Sequence, residues 1–110
     1  MEERLYSILT VSSAEKFNTS LKELLDKNRF SPVSFAFDVA GARRLLVERS
    51  FDIVIINAPL PDEFGTRLAL DICDSSGSGV LLLVKAEHYP DINARVSPYG
   101  VLTLSKPTGT

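Results

Sequence analysis

The sequence is short of the residues that mark two kinds of site. Its single cysteine, Cys73, allows no disulfide within the chain, which agrees with a reducing cytoplasm. Its single histidine, His88, has no second histidine or cysteine at a spacing typical of zinc ligands. These shortages argue against a disulfide-stabilised secreted fold and against a zinc centre.

Long apolar runs and an excess of basic charge are also missing. The longest apolar runs are about five residues, whereas a transmembrane helix needs roughly 20. The amino end, Met-Glu-Glu-Arg, lacks the basic start of an export signal. A formal net charge of −2 and a pI near 5.3 argue against nucleic-acid binding by this domain. We therefore predict a cytoplasmic protein without membrane contact.

The composition is that of one globular domain. Of 110 residues, 45 % are hydrophobic and 24 % are charged, which is enough for one core. Short apolar runs alternate with amphipathic segments, and this alternation predicts parallel strands joined by crossover helices. The expected strands lie near residues 5–11, 33–37, 53–56, 80–84 and 101–104. We therefore predict a single α/β domain over residues 1–110.

Capping residues mark the starts of two helices. Ser12 followed by Glu15 is a capping-box pattern, and the apolar stripe of the first helix then includes Phe17 and Leu24. Asp38 is placed to cap the second helix. The sequence therefore predicts that these two helices directly follow the first and second strands.

The stretch Phe51 to Gly65, which reads FDIVIINAPLPDEFG, organises the chain. Ile53 to Ile56 is a β-branched apolar run typical of a strand buried on both faces of a parallel sheet. Asn57, a single polar residue, ends the run before a proline-rich loop. Sites in open α/β sheets lie beyond the carboxyl ends of the strands, so Asn57 marks the predicted site.

This stretch resembles the receiver domain of two-component response regulators, the CheY-like family. The matches are Asp52, the apolar run, Leu60, Pro61 and Gly65. The resemblance implies a three-layer flavodoxin-like fold with a parallel sheet in the order 2-1-3-4-5. It also implies a fifth helix after a Lys-Pro step, here Lys106-Pro107. The sequence stops three residues later, and we expect that helix and an output domain to lie outside it.

The resemblance also assigns residues to the family's phosphorylation site, where an aspartate accepts a phosphoryl group with the help of Mg²⁺. The replaced positions are the phosphoacceptor (Asn57), the acidic metal-binding pair (Ser12 and Ser13), the hydroxyl residue after the fourth strand (Val84) and the aromatic switch residue (Thr103). Only the lysine, Lys106, is retained, and a structural bond from it to Asn57 or to a carbonyl is an equal explanation. An amide is not a nucleophile, and Mg²⁺ requires hard oxygen ligands, usually carboxylates.

We therefore interpret the chain as a degenerate receiver, or pseudo-receiver, that is not an enzyme and needs no cofactor or metal. It would act by protein contact or dimerisation through the fourth helix and fifth strand, with a sensor kinase, another regulator or a second copy as partner. The segments VSS and NAPLP are similar to those of antiterminator (ANTAR) regulators, which implies transcription control. RNA or DNA would be bound only by an absent output domain. Without a fifth helix, an apolar strip of the sheet would be left for a partner chain or the absent segment to cover.

Two alternatives stay open at this point. A receiver could be phosphorylated in an unorthodox way, with Asp62 as the nearest substitute carboxylate, although a solvated turn aspartate explains Asp62 better. A flavodoxin-like cofactor-binding protein would share this topology, but its phosphate loop follows the first strand, where this chain has SSAEKF.

Overall fold

The sheet order predicted from the sequence is confirmed. A computed structural model describes residues 4–106, in which five parallel strands form one sheet in the order β2-β1-β3-β4-β5. The strands and helices alternate as β1 (Tyr6–Val11), α1 (Glu15–Leu24), β2 (Phe30–Ala36), α2 (Val39–Glu48), β3 (Ile53–Asn57), α3 (Thr66–Ser75), β4 (Gly79–Val84), α4 (Tyr89–Val96) and β5 (Leu102–Ser105). The chain therefore has the predicted three-layer α/β fold, with short 3-10 turns on either side of α4.

The strand β3 lies at the centre of the sheet, between β1 and β4. Val54 and Ile56 are fully buried and Ile55 is nearly so, as the β-branched run predicted. Because β3 is central, Asn57 at its end lies among the ends of several strands. We call this side of the sheet, where all five parallel strands end, the carboxyl end.

One face of the sheet carries the main hydrophobic core. Alternate strand residues, among them Val11, Ile56 and Leu82, pack there with the buried faces of α2, α3 and α4. The opposite face carries α1, none of whose residues is buried. The ammonium of Lys22 on α1 lies 5.7 Å from the centre of the Phe35 ring on β2. The two faces are therefore covered unequally.

Four leucines of β4 and β5 form the less covered part of that second face. Leu81 pairs with Leu102 and Leu83 pairs with Leu104, so all four side chains project on one side. Leu102 is 61 % exposed and Leu104 is 44 % exposed. We call these four residues the leucine face.

A glycine sets the turn between the site loop and α3. Gly65 has φ of 120°, which side-chain-bearing residues rarely adopt. A Cβ atom there would lie 3.0 Å from Cγ2 of Ile56. Gly65 therefore lets the loop pack directly against the central strand.

Some local predictions are wrong. The helix α1 has Ala14 as its N-cap residue and no side-chain cap, so Ser12 and Glu15 do not form a capping box. The hydroxyl of Ser12 instead bonds to the Ala14 N–H and to Asn57. Leu24, predicted in the apolar stripe of α1, is 80 % exposed. Tertiary contacts at the site and the sparse packing of α1 override both local patterns.

Two further predictions depend on residues that the structure does not describe. Pro107 lies outside residues 4–106, and so does the position of any following helix. Within residues 4–106, no helix is long and apolar enough to cross a membrane.

Candidate functional site

Ser12 and Asn57 meet at the carboxyl end of the sheet. Ser12 follows β1 and is fully buried, and Asn57 ends β3 with 7 % of its surface exposed. The Asn57 Nδ2 donates to Ser12 Oγ over 3.2 Å, and the Ala14 N–H donates to the same oxygen over 3.2 Å. Among the described residues, Oδ1 of Asn57 has no hydrogen-bond partner. The site therefore contains a buried amide that is only half satisfied.

Lys106, which directly follows β5, also reaches this site. Its Nζ donates to the carbonyl oxygen of Ala58, the residue after Asn57. Burial lowers the pKa of Lys106 from its ordinary value of 10.5, and the positive charge of Lys85 lowers it further. Lys106 therefore stabilises the loop after β3 through a backbone carbonyl.

The remaining predicted residues are placed differently. Ser13 is exposed beside Ser12. Thr103 is 2 % exposed, and its hydroxyl has no partner within the described residues. Val84 is fully buried in the main core, on the face that α2, α3 and α4 cover. The structure thus brings Ser12, Asn57 and Lys106 together but directs Val84 into the core.

Sequence reasoning missed Lys85. Val84 pairs with Ser105 in the parallel ladder, and the N–H of Lys106 donates to the Val84 carbonyl oxygen over 2.7 Å. Lys85 and Lys106 are consequently the next residues on two neighbouring strands. The sequence pattern that could have identified Lys85 is a lysine directly after each of two neighbouring strands. Lys85 follows Val84 at the end of β4, and Lys106 follows Ser105 at the end of β5.

Asp62, in the loop after β3, is the first carboxylate that follows Asn57 in the sequence. It hydrogen-bonds to the start of α2. Its two oxygens accept the N–H groups of Val39 and Ala40, each over 3.0 Å. These bonds lower the pKa of Asp62, because they stabilise the carboxylate form. Asp38 accepts the N–H of Gly41 over 2.7 Å, which confirms its predicted capping role. Asp62 is therefore a helix-capping residue as well as a turn residue.

Known receiver domains are similar to this chain in sequence and fold. The signal receiver domain of an HD domain-containing protein from Pseudomonas fluorescens Pf-5 is 30 % identical, with a TM-score of 0.82. The match covers 97 % of this chain and 79 % of that one. The chain belongs to the receiver-domain family. Neither a protein-family model nor a curated protein matches its sequence.

Other solved receivers share the fold at lower identity. The response regulator TrrA from Thermotoga maritima, in complex with Mg²⁺ and beryllofluoride, is 20 % identical with a TM-score of 0.76, and the match covers 96 % of this chain and 90 % of TrrA. The receiver domain of NtrC4, a beryllofluoride-activated dimer, is 21 % identical with a TM-score of 0.79. That match covers 94 % of this receiver and 85 % of NtrC4.

Two lysines at the strand-end site of this receiver lie outside the described ion pairs. Within residues 4–106 the ion pairs are Arg4–Asp52, Arg43–Asp71 and Arg67–Asp71, and none involves Lys85 or Lys106. The same residues contain no group of three or more histidine, cysteine, aspartate or glutamate side chains that could hold a metal ion. The site offers one amide, two serine hydroxyls and two ammonium groups, which suit hydrogen bonding to an anion better than binding a cation.

Proposed function

We propose that this receiver domain regulates its response regulator by protein contact, without forming an aspartyl phosphate. The observation that carries this proposal is the environment of Asn57. A buried amide hydrogen-bonded to Ser12 stands at the end of the central strand, where the motif of the family places the phosphoacceptor. An acyl phosphate requires a carboxylate nucleophile, which an amide cannot replace.

The surroundings of Asn57 support the same proposal. Ser12 offers only a hydroxyl that already accepts two hydrogen bonds, and Ser13 adds a second neutral side chain. Neither supplies the negative charge that Mg²⁺ ligands usually carry. Lys106 is held by the Ala58 carbonyl, and Val84 has no hydroxyl and lies in the core. The domain would therefore have no enzymatic or phosphoryl-transfer activity of its own.

Asp62 is a poor substitute acceptor. Its carboxylate accepts both Val39 and Ala40 N–H groups at the start of α2. Phosphorylation would esterify one of these two oxygens, and the added bulk would displace the backbone N–H group bonded to it. An unorthodox phosphorylation of Asp62 would therefore remove part of the cap of α2.

We infer that the leucine face is the contact surface of this module. Leu102 and Leu104 are exposed apolar residues at alternate positions of β5, and Tyr99, just before β5, is 67 % exposed. Burial of such a strip against a second copy or another regulator would remove apolar surface from water. This supports control through β5, on the face of the sheet opposite α4.

We propose that the output is transcription control, as the similarity to antiterminator regulators implies. The net charge of −2 argues against RNA or DNA binding by this receiver itself. Nucleic acid would therefore be bound by another domain of the same regulator, and the receiver would control that domain through protein contact.

The proposal is tested by incubating the domain with acetyl phosphate and Mg²⁺ and measuring its intact mass. We expect no phosphoryl adduct on the natural chain. The matched control is a variant with Asn57→Asp, Ser12→Asp and Ser13→Asp, which restores the three carboxylates. A phosphoryl adduct on the natural chain, located by peptide mapping to any side chain at the carboxyl end, would contradict the proposal.

A further inference from the structure

A groove lies between α3 and α4, two of the helices that cover the main core. Its volume is about 520 Å³, within the range of roughly 300–1,000 Å³ that is typical of small-molecule sites. Its lining residues come from the loop after β3, from α3, from the 3-10 turn before α4 and from α4 itself. Ser12, Asn57 and Lys106 are not among them. The groove is therefore separate from the strand-end site.

Apolar and aromatic side chains form the floor of this groove. Phe64, Leu70 and Ile92 line it, and all three pack into or against the hydrophobic core, which holds them in place. The rings of Phe64 and His88 meet edge to face, with 5.9 Å between their centroids and an angle of 86° between their planes. This is a favoured arrangement of two aromatic rings. The floor therefore suits a flat, apolar ring.

The rim of the groove carries charges of both signs. On α4, Asp91 and Arg95 line the groove one helical turn apart, about 6 Å along the helix axis. An acid four residues before an arginine is well placed for an ion pair, yet neither residue forms one within residues 4–106. The α3 side repeats this order, because Glu63 precedes the helix and Arg67 lies in its first turn. Each wall of the groove thus presents an acid and then an arginine.

This charge pattern favours a ligand that is itself dipolar. A simple carboxylate could pair with Arg95 but would lie near Asp91, and a simple ammonium ion would have the opposite problem. A molecule with both groups, one turn of helix apart, satisfies both residues. Arg67 is less available than Arg95, since it already contacts Asp71 over 3.4 Å.

We propose that this groove binds a small dipolar aromatic compound, with an ammonium group and a carboxylate at opposite ends of a single ring. The carboxylate pairs with the guanidinium of Arg95, which can donate two parallel hydrogen bonds to it. The ammonium group pairs with Asp91, and the ring packs on Phe64 and Ile92. A ligand held by both helices would favour the conformation in which the groove has this width. Its binding would not depend on whether an aspartyl phosphate forms.

The test is an amide NMR titration of the domain with para-aminomethylbenzoate at neutral pH and constant ionic strength. Constant ionic strength is needed because exposed charges are screened by salt. We expect saturable shifts at Phe64, His88 and Ile92. Arg95→Gln should weaken binding by roughly tenfold or more, as expected for the loss of a charge-assisted hydrogen bond. Asp91→Asn should also weaken it.

Three related compounds test the parts of the ligand one at a time. Benzoate lacks the ammonium group, benzylamine lacks the carboxylate, and the saturated cyclohexane analogue of the probe lacks the aromatic ring. We expect each of them to bind more weakly than the probe. The matched protein control is Arg44→Gln, which removes the same charge from an exposed position of α2 that does not line the groove. It should leave the affinity for the probe unchanged.

Several outcomes would overturn the inference. Absence of saturable shifts in the natural chain would do so, and so would equal affinity of Arg95→Gln and the natural chain for the probe. Equally tight binding of any of the three related compounds would refute a dipolar aromatic ligand. Shifts centred on Asn57 and Lys106 would place the compound at the strand-end site instead. None of these results would affect the proposed function, whereas a phosphoryl adduct formed with acetyl phosphate would overturn that function and leave the groove as it is.

Discussion

Two lysines and a buried amide determine the electrostatics at the end of the central strand. Lys106 is partly buried, is bonded to the Ala58 carbonyl, and has Lys85 as its like-charged neighbour. Asn57 beside them is neutral at every pH. The charged form of Lys106 is therefore less favourable in the folded chain than in the unfolded chain.

This has a consequence for stability at alkaline pH. Because the folded pKa of Lys106 lies below 10.5, the folded chain loses this proton before the unfolded chain does. The contribution of Lys106 to the free energy of unfolding should therefore rise with pH between the lowered pKa and 10.5. Lys85→Gln should raise the pKa of Lys106 and reduce this gain.

The measurement is a ¹³C NMR titration of the Lys106 side chain, with urea unfolding across the same pH range. Lys27→Gln is the control and should leave the Lys106 pKa as it is. An unchanged pKa in Lys85→Gln would show that the two ammonium groups do not interact.

The sequence predicted part of this site. Ser12, Asn57 and Lys106 were identified because each follows an apolar strand in the family's motif, and parallel strands bring such residues to one end of a sheet. Lys85 was missed because its importance depends on which residue of β5 it lies beside. Strand register is a tertiary property. From the family's motif alone, Val84 was assigned to the site at the end of the fourth strand, and Lys85 was not considered.

Among the connecting elements, the turn at Gly65 is the most constrained. Gly65→Ala would place a side chain at φ of 120° and a Cβ atom 3.0 Å from Ile56. We expect the free energy of unfolding to fall by about 1–3 kcal/mol, measured by urea denaturation. The control is Gly77→Ala, where a Cβ atom would meet nothing within 4 Å. Equal effects of the two substitutions would contradict the strained geometry at Gly65.

The start of α2 depends on a carboxylate from another loop. The pKa of Asp62 is lowered by the Val39 and Ala40 N–H groups, so its stabilising effect is present above pH 3.8 and is lost as the pH falls through the lowered pKa. Asp62→Asn should lower the melting temperature at neutral pH, and the difference should disappear in acid. The control, Glu63→Gln, should change little. A constant difference at all pH values would refute the capping role.

The elements themselves were predictable to different degrees. The strand β3 was predicted because a run of β-branched residues fits only a buried strand. Leu24 was misjudged because its periodicity in α1 implied a packed face, whereas no residue of α1 is buried. Helical periodicity predicts which residues share a side, and the neighbouring sheet decides whether that side is covered.

At the scale of the whole sheet, the unequal covering of its two faces within residues 4–106 predicts association. We expect the natural domain to associate in sedimentation velocity as its concentration rises, because the leucine face is apolar and exposed. Leu104→Lys should weaken this association and leave the fold intact. The control is Val47→Lys, since Val47 is 87 % exposed on α2. Association that persists in Leu104→Lys would move the contact surface elsewhere.

The most direct test of the central claim is an amide NMR titration of the domain with Mg²⁺ and then beryllofluoride, which mimics an aspartyl phosphate. We predict no saturable shifts at Ser12, Asn57 or Lys106 in the natural chain. The variant with aspartate at positions 12, 13 and 57 provides the comparison, and shifts there would show that the fold itself can still support the chemistry. Saturable, Mg²⁺-dependent shifts around Asn57 in the natural chain would contradict the claim that this receiver acts without phosphorylation. They would indicate a receiver that still takes part in phosphoryl transfer.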